Sequence, residues 1–411
     1  MVCLHQKKGV KTPKTKICEH EQARMTEMIY GVPSRVMDDP VLPRWWRNVD
    51  RWSLLSVFVL FFIGLLLCMA ASPPLAEGNQ KPHFYYVYRQ AAFGIISLFL
   101  MITISTLPLI FVRRIALSGF LICVVAIVLL PTFGTDYGKG AIRWFSFASL
   151  SLQPSEFLKP CFIIFSAWVM KSSFDLNGPP GRLISFAIAF VLSTLLAFQP
   201  DFGQASLVIG SWVIMYFVSG ASILLLFLIM IIIGGCGFFS YLNSEHVRDR
   251  INGFLSQDIN PLTQIGYATN AIKEGGYLGV GLGEGVVKWK LPDAHTDFII
   301  AVAAEEYGLL LCLLIIFTYF LIVIRSMLRL SNEVSVFVRL AGVGITSLLA
   351  MQAIINLGVA VRLLPAKGMT LPFISYGGSS ILAMGVLMGF LLALTRKRPK
   401  NDFQDILGRG L

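Results

Sequence analysis

The sequence predicts an all-α polytopic membrane protein of about ten transmembrane helices, with one large external loop between the seventh and eighth. Composition is the first reason: of 411 residues 55% are hydrophobic and only 14% charged, and the mean hydropathy of +0.72 exceeds what a soluble globular domain tolerates. The second is spacing, because apolar runs near the ~20 residues that a spanning helix needs recur along the chain.

In order, these runs cover 53–72, 90–110, 115–133, 155–171, 183–199, 204–219, 222–243, 297–324, 338–361 and 374–395. The third begins beyond Arg113-Arg114, which the reading places in a cytoplasmic turn. The break at Ser219-Gly220-Ala221 is so short that its flanking helices form a tight hairpin. Between 244 and 296 no spanning run occurs, and a connection of that length is usually functional.

Lys and Arg concentrate in the segment from Lys7 to Arg51, at Arg113-Arg114, Lys171, Arg182, Arg325, Arg329 and Arg339, and at Arg396-Lys397-Arg398. The positive-inside bias therefore expects both termini in the cytoplasm; the reverse orientation exports most of the net charge of +11. Residues 1–52 read as a basic, disordered cytoplasmic tail, 53–395 as the membrane domain and 396–411 as a short basic tail. The first apolar run lies too far along and is too long for a signal peptide, and Met25 and Met28 are alternative starts. Seven cysteines without a CxxC pair imply neither a disulfide framework nor a zinc site.

The external segment carries a glycine run from Gly275 to Gly285. It lacks a strand-to-helix context and a Walker lysine, so close backbone packing or a moving flap is expected rather than nucleotide binding. A short amphipathic helix over 265–275 is expected before it. Arg143, Lys288, Arg362 and Lys367 fall outside against the charge bias and invite an anionic partner, solvated loop charge being the plain alternative.

Ionisable groups at membrane depth are costly and read as functional by default. Glu156 and Lys159 lie three apart on one helix face after Pro154, fit to neutralise each other. Asp201, between Pro200 and Gly203, is either a helix N-cap or a site residue. His295-Thr296-Asp297-Phe298 opens the eighth run, with Glu305 and Glu306 deeper, one of them expected to face the bundle and pair with a cation such as Lys159 or Arg143. His295 is a candidate acid, base or metal ligand, with a structural role as the alternative. From Arg362 to Ser380 two prolines, glycines and hydroxyls form an irregular wall.

These residues resemble the SEDS (shape, elongation, division, sporulation) family of polytopic peptidoglycan polymerases. The matching segments are Gly140 to Trp144, Gln153 to Glu156 with Lys159, Gln199 to Gly203, Leu291 to Phe298 with Glu305-Glu306, and Leu364 to Ser380. Pro365-Ala366-Lys367-Gly368-Met369-Thr370-Leu371-Pro372 is more like the division type than the elongation type, although Met369 stands where Leu is commoner. The resemblance implies a SEDS-type ten-helix fold and polymerisation of lipid II in the bacterial inner membrane at the septum. It implies Asp297 as catalytic carboxylate, and a class B penicillin-binding transpeptidase of the FtsI type with other divisome proteins as partners.

Forming a β-1,4 glycoside from an α-linked diphosphate is most simply a single inverting displacement, which needs one general base for the acceptor hydroxyl. Asp297 suits that role. The leaving diphosphate needs charge stabilisation, for which Arg143, Lys159 and Lys367 are the available cations. Glu156, Asp201, His295, Thr296, Glu306, Ser375 and Ser380 complete the candidate substrate contacts. No cofactor is required; a divalent ion such as Mg or Mn, held partly by Asp297, is the competing role for that carboxylate. A lipid II flippase and a non-catalytic scaffold for the transpeptidase are the rival classes.

Overall fold

The computed structural model describes residues 41–135, 142–147, 150–175, 177–220, 223–243, 245–255, 263–291, 293–365 and 368–397. The chain forms two compact units, one of Asp50–Thr395 and a small one of Met1–Val49 with Arg396–Leu411. In the small unit α1 (Val41–Asn48) is helical, which corrects the expectation of an unstructured tail up to residue 52; residues 1–40 lie outside the described part. Val41, Leu42, Trp45 and Trp46 fall on one side of this helix, with Arg44 and Arg47 on the other. Two turns are too short for such a pattern to stand out in hydropathy.

The large unit runs α2 (Arg51–Gly78), α3 (Tyr85–Thr106), α4 (Leu109–Phe133), a hairpin of β1 (Phe145–Phe147) and β2 (Leu150–Leu152), α5 (Pro154–Lys171), α6 (Gly181–Phe198), α7 (Phe202–Val218) and α8 (Ile223–Asn243). It continues through α9 (Glu245–Leu255), α10 (Gln264–Gly275), a 3-10 turn at Val287–Trp289, α11 (Ile299–Leu330), α12 (Val336–Ala360) and α13 (Gly378–Thr395). Eight of these helices, α2 to α6 and α11 to α13, are long and apolar enough to cross a membrane, and α7 and part of α8 are shorter apolar helices. Each answers to one of the ten apolar runs.

The α3–α4 boundary differs from the expected one. The break falls at Leu107-Pro108, where proline forces its predecessor to extended backbone (ψ 148). Arg113 and Arg114 consequently lie inside α4, their guanidiniums over the rings of Trp168 (5.5 Å) and Phe111 (5.8 Å), which lets long cationic side chains lie along apolar surface.

The segment between α8 and α11 is largely built, not a bare loop. α10 matches the expected amphipathic helix, and Thr263 caps it by accepting from the Gly266 N–H at 3.1 Å. The glycine run then lies against the first turns of α11, where Val280 N–H donates to Glu305 O (2.9 Å) and Gly281 N–H to Glu306 O (3.2 Å). Gly279 has φ +82, and a Cβ there would come within 2.2 Å of Glu306 O. α11 itself is broken at Gly308 (φ 74, ψ −169), where Leu309 N–H donates to Gly276 O at 3.0 Å. Close backbone packing is thus what Gly275, Gly279 and Gly308 serve.

α13 is the most enclosed span and packs on α3, with Gly385 and Gly389 letting the two backbones approach; Ser97 Oγ donates to Ile381 O at 2.5 Å. This pairing brings the N-terminal ends of α3 and α13 together, where the site lies.

Candidate active site

Asp297 stands on a tight turn just before α11. Asp293 (φ 54) receives the N–H groups of Thr296 (3.1 Å) and Asp297 (3.2 Å) at its carbonyl. Three outside contacts fix the turn. Asn356 Nδ2 donates to Asp297 O (3.0 Å) and Met369 O (2.5 Å), and Tyr376 N–H donates to His295 O (2.9 Å). Ser375 Oγ donates to Thr296 O and receives Leu371 N–H at 2.8 Å. The Asp297 carboxylate lies over the Cα of Gly368, close enough that a Cβ there would stand 3.4 Å from Oδ2.

In front of Asp297 is a polar cavity of about 540 Å³, whose wall includes Arg89, Arg143, Glu156, His295, Asn356 and Ser380. The structure therefore gathers Asp297, His295, Thr296, Arg143, Glu156 and Ser380 from segments far apart in sequence around one space. The His295 ring packs between Tyr86 (6.1 Å between centroids) and Tyr376 (5.7 Å). Burial pushes the Tyr376 phenol up to about 12, with Arg89 pulling the other way, so it stays a hydrogen-bond donor at neutral pH. Ser380 and Thr370 share a hydroxyl hydrogen bond of 2.6 Å at the start of α13.

Behind the wall runs a buried polar chain. Lys159 Nζ binds Glu156 Oε2 (2.9 Å) and Gln352 Oε1 (3.3 Å), Gln204 Nε2 donates to Glu156 Oε1 (2.6 Å), and Gln352 Nε2 donates to Thr370 O (3.1 Å). Lys159 is fully buried and braces Glu156 rather than reaching the cavity. Arg143 donates from Nε to Gln199 O (3.1 Å) and from Nη2 to Pro200 O (2.6 Å). Asp201 sits at the N-cap position of α7 with Oδ2 receiving Gln153 Nε2 (3.3 Å). Burial raises its pKa; the Arg143 charge lowers it and that of Glu156 raises it further.

Glu305 and Glu306 differ from expectation. Glu306 pairs with Lys288, not Lys159 or Arg143, and Glu305 receives the backbone N–H groups of Val287 (2.7 Å) and Lys288 (3.1 Å). Both carboxylates turn toward the glycine run, so they anchor the segment between α8 and α11 on α11. Lys288 is correspondingly buried rather than solvated. Lys367, with Ala366, Gly140, Ala141 and Pro292, lies outside the described residues.

The comparisons with known proteins fall in with this geometry. Residues 51–400 match the FtsW/RodA/SpoVE cell cycle protein family model. The chain belongs to the FtsW/RodA/SpoVE family. A relative from Caulobacter vibrioides (strain NA1000 / CB15N), named probable peptidoglycan glycosyltransferase FtsW, is 39% identical over 364 residues, covering 88% of this chain and 93% of its own length. A solved structure described as showing the structural coordination of polymerization and crosslinking by a peptidoglycan synthase complex shares the fold, with a TM-score of 0.69 and 24% identity over 84% of this chain and 97% of its own. The crystal structure of the Thermus thermophilus rod shape determining protein RodA does so with a TM-score of 0.62 and 22% identity, covering 86% and 99%. The SEDS resemblance read from the motifs is this same family and fold.

In this FtsW/RodA/SpoVE member no three His, Cys, Asp or Glu side chains among the described residues cluster to hold an ion. Three polar residues in and behind the cavity wall escaped the sequence reading. Gln352 and Asn356, four apart in an apolar run, carried the signal of paired amides at membrane depth. Arg89 stood at the start of the second run, where it looked like an ordinary boundary cation.

Proposed function

We infer that the chain is a peptidoglycan glycosyltransferase of the division type, polymerising lipid II into β-1,4-linked glycan. The observation that carries this reading is the single cavity in which the Asp297 carboxylate meets guanidinium and hydroxyl groups at the mouth of a membrane bundle. The named activity of the Caulobacter relative supports it.

Asp297 is the general base. As the acceptor hydroxyl attacks the donor C1, its proton passes to the carboxylate, the new C–O bond forms and the bond from C1 to the diphosphate oxygen breaks with its electron pair leaving on phosphate. One displacement inverts the α-linked donor to a β-glycoside. Fixing the Asp297 turn through Asn356, Ser375 and Tyr376 keeps the base in one geometry, which is where much of a rate gain resides. Arg143, held rigid by two carbonyls, contributes positive potential to the wall. Glu156, braced by Lys159, and the hydroxyls of Thr370 and Ser380 supply polar contacts for sugar. An apolar cavity of about 750 Å³ between α6, α7 and α8 suits a polyprenyl chain.

The same reading places the protein in the cytoplasmic membrane at the septum, with both termini and their basic tails cytoplasmic. A class B penicillin-binding transpeptidase is its partner; the likeness to a peptidoglycan synthase complex supports that pairing.

The test is glycan formation from labelled lipid II by the purified chain with its cognate transpeptidase, comparing wild type with Asp297→Asn. Polymer from wild type and none from an equally folded variant is the expected result. Equal polymer from both removes Asp297 from the mechanism, and none from either turns the reading toward a flippase or scaffold.

A further inference from the structure

We propose that one face of the β1–β2 hairpin is a saccharide subsite where the Trp144 indole stacks on a pyranose ring of the glycan, a role resting on the glycosyltransferase reading. The ring belongs either to incoming lipid II or to the growing strand, which share this chemistry. Trp144, Ser151 and Gln153 all belong to the wall of the polar cavity in front of Asp297. Their convergence follows from strand register. Ser146 pairs with Ser151 and Phe145 with Leu152, and continuing that register by one residue sets Trp144 opposite Gln153. Side chains alternate between the two faces of a strand pair, so Trp144, Ser146, Ser151 and Gln153 share one face and Phe145 and Leu152 the other. The cavity receives the first face, while Leu152 is exposed on the second.

Ties on both sides hold the indole in place. Trp144 O receives Thr135 N–H at 2.9 Å, and the preceding Arg143 is clamped to the carbonyls of Gln199 (3.1 Å) and Pro200 (2.6 Å). The Trp144 side chain is half-buried, and among the described residues its ring packs on no other aromatic ring and its N–H meets no acceptor. An aromatic side chain at a membrane boundary ordinarily faces lipid headgroups. Trp144 instead lines a polar space. A β-configured pyranose carries its hydroxyl groups around the edge and C–H bonds on its faces. Those hydrogens are weakly positive and suit the negative face of an indole, while the edge hydroxyls need polar partners alongside. Trp144 with Ser151 on the same hairpin face, and Gln204 and Glu156 in the same wall, provides that combination. The negative indole face disfavours an anion, so the subsite takes neutral sugar and not the diphosphate. Indole area comes with only two rotatable bonds, so ordering it on a ligand costs little entropy.

The experiment uses the purified full chain with its transpeptidase, as wild type, Trp144→Leu and Trp144→Phe, with thermal unfolding to confirm folding. Polymerisation of labelled lipid II is inhibited with a lipid-free oligomer of the same glycan or with undecaprenyl diphosphate. Trp144→Leu is expected to weaken inhibition by the glycan oligomer about 10-fold and Trp144→Phe by less, with inhibition by the diphosphate unchanged in both. Product length identifies the sugar: shorter strands at an unchanged KM put the growing glycan on Trp144, and a raised KM at unchanged length the incoming lipid II. Wild-type inhibition by the oligomer in Trp144→Leu, equal losses toward oligomer and diphosphate, or a wild type indifferent to the oligomer overturns the subsite. If Trp144→Leu does not fold, Trp144→Phe decides by the same comparison. If wild type makes no polymer, it is the glycosyltransferase reading that fails. Binding of labelled oligomer then decides Trp144 separately: its loss in Trp144→Leu but not in Asp297→Asn supports the subsite, and its retention in Trp144→Leu overturns it.

Discussion

Asn356 holds Asp297 from the neighbouring helix, its Nδ2 donating to the Asp297 carbonyl at 3.0 Å and to Met369 O, while its own Oδ1 is buried with no hydrogen-bond partner among the described residues. A residue that donates twice to backbone on two loops sets the distance between them.

Asn356→Ala leaves two carbonyls without that donor, and the cost is about 1–3 kcal/mol of stability. On the proposed role of Asp297, turnover is expected to fall more than substrate affinity, because that carboxylate loses its fixed geometry. Steady-state kcat and KM from lipid II polymerisation check this; a change confined to KM would contradict it.

Gly368 has φ +56 and lies under the Asp297 carboxylate. Gly368→Ala both strains the left-handed backbone, by about 1 kcal/mol or more, and places a methyl group in contact with Oδ2. Polymerisation is expected to fall while the unfolding temperature moves little. Wild-type activity in Gly368→Ala would show that the carboxylate has room to shift.

Lys159 and Glu156 form a buried pair whose members depend on each other. Lys159→Met strands the Glu156 charge and is expected to destabilise by about 3–5 kcal/mol, whereas Lys159→Met with Glu156→Gln recovers much of that loss. Detergent unfolding of the two single variants and the double one gives the coupling directly. Additive losses would mean that the pair is not a unit.

Asp50, at the start of α2, binds Arg325 (3.0 Å) and Arg329 (3.2 Å) from α11 and receives Ser53 Oγ (2.9 Å). Burial raises its pKa, but the hydrogen bonds from Arg325 and Ser53 and the two arginine charges outweigh that, so the folded value lies below the ordinary one. A carboxyl depressed on folding contributes stability that is complete above its unfolded pKa of about 3.9 and disappears as pH falls through the folded value. The wild type should therefore lose stability in that acid window relative to Asp50→Asn, which lacks the titration. Parallel unfolding-temperature curves for the two proteins below pH 4 would refute this.

Much of the site was legible because its motifs are local. Asp297, His295 and Thr296 share one turn, and Glu156 with Lys159 share one helix face, so spacing alone put each set together. The partner of Glu306 was misread because it depends on which way α11 is rotated about its axis. A helix apolar on nearly all sides carries no signal for that rotation. The break at Gly308 was hidden for a related reason, since one glycine inside an apolar run reads as an ordinary span until another backbone is seen against it.

By itself the sequence determined the membrane class and the order and approximate extent of the apolar helices, and it singled out the Asp297 turn as the candidate centre of chemistry. Those follow from hydropathy and near-neighbour spacing, which are properties of short stretches of chain. Only the tertiary structure decided that Arg89, Arg143, Asn356 and Asp297 surround one cavity, that Lys159 is a brace, and that Lys288 with the glycine run belongs to α11. These are meetings of residues far apart in sequence, set by helix rotation and close backbone packing, and in an interior this dense a side chain is available to a ligand only where packing leaves a space.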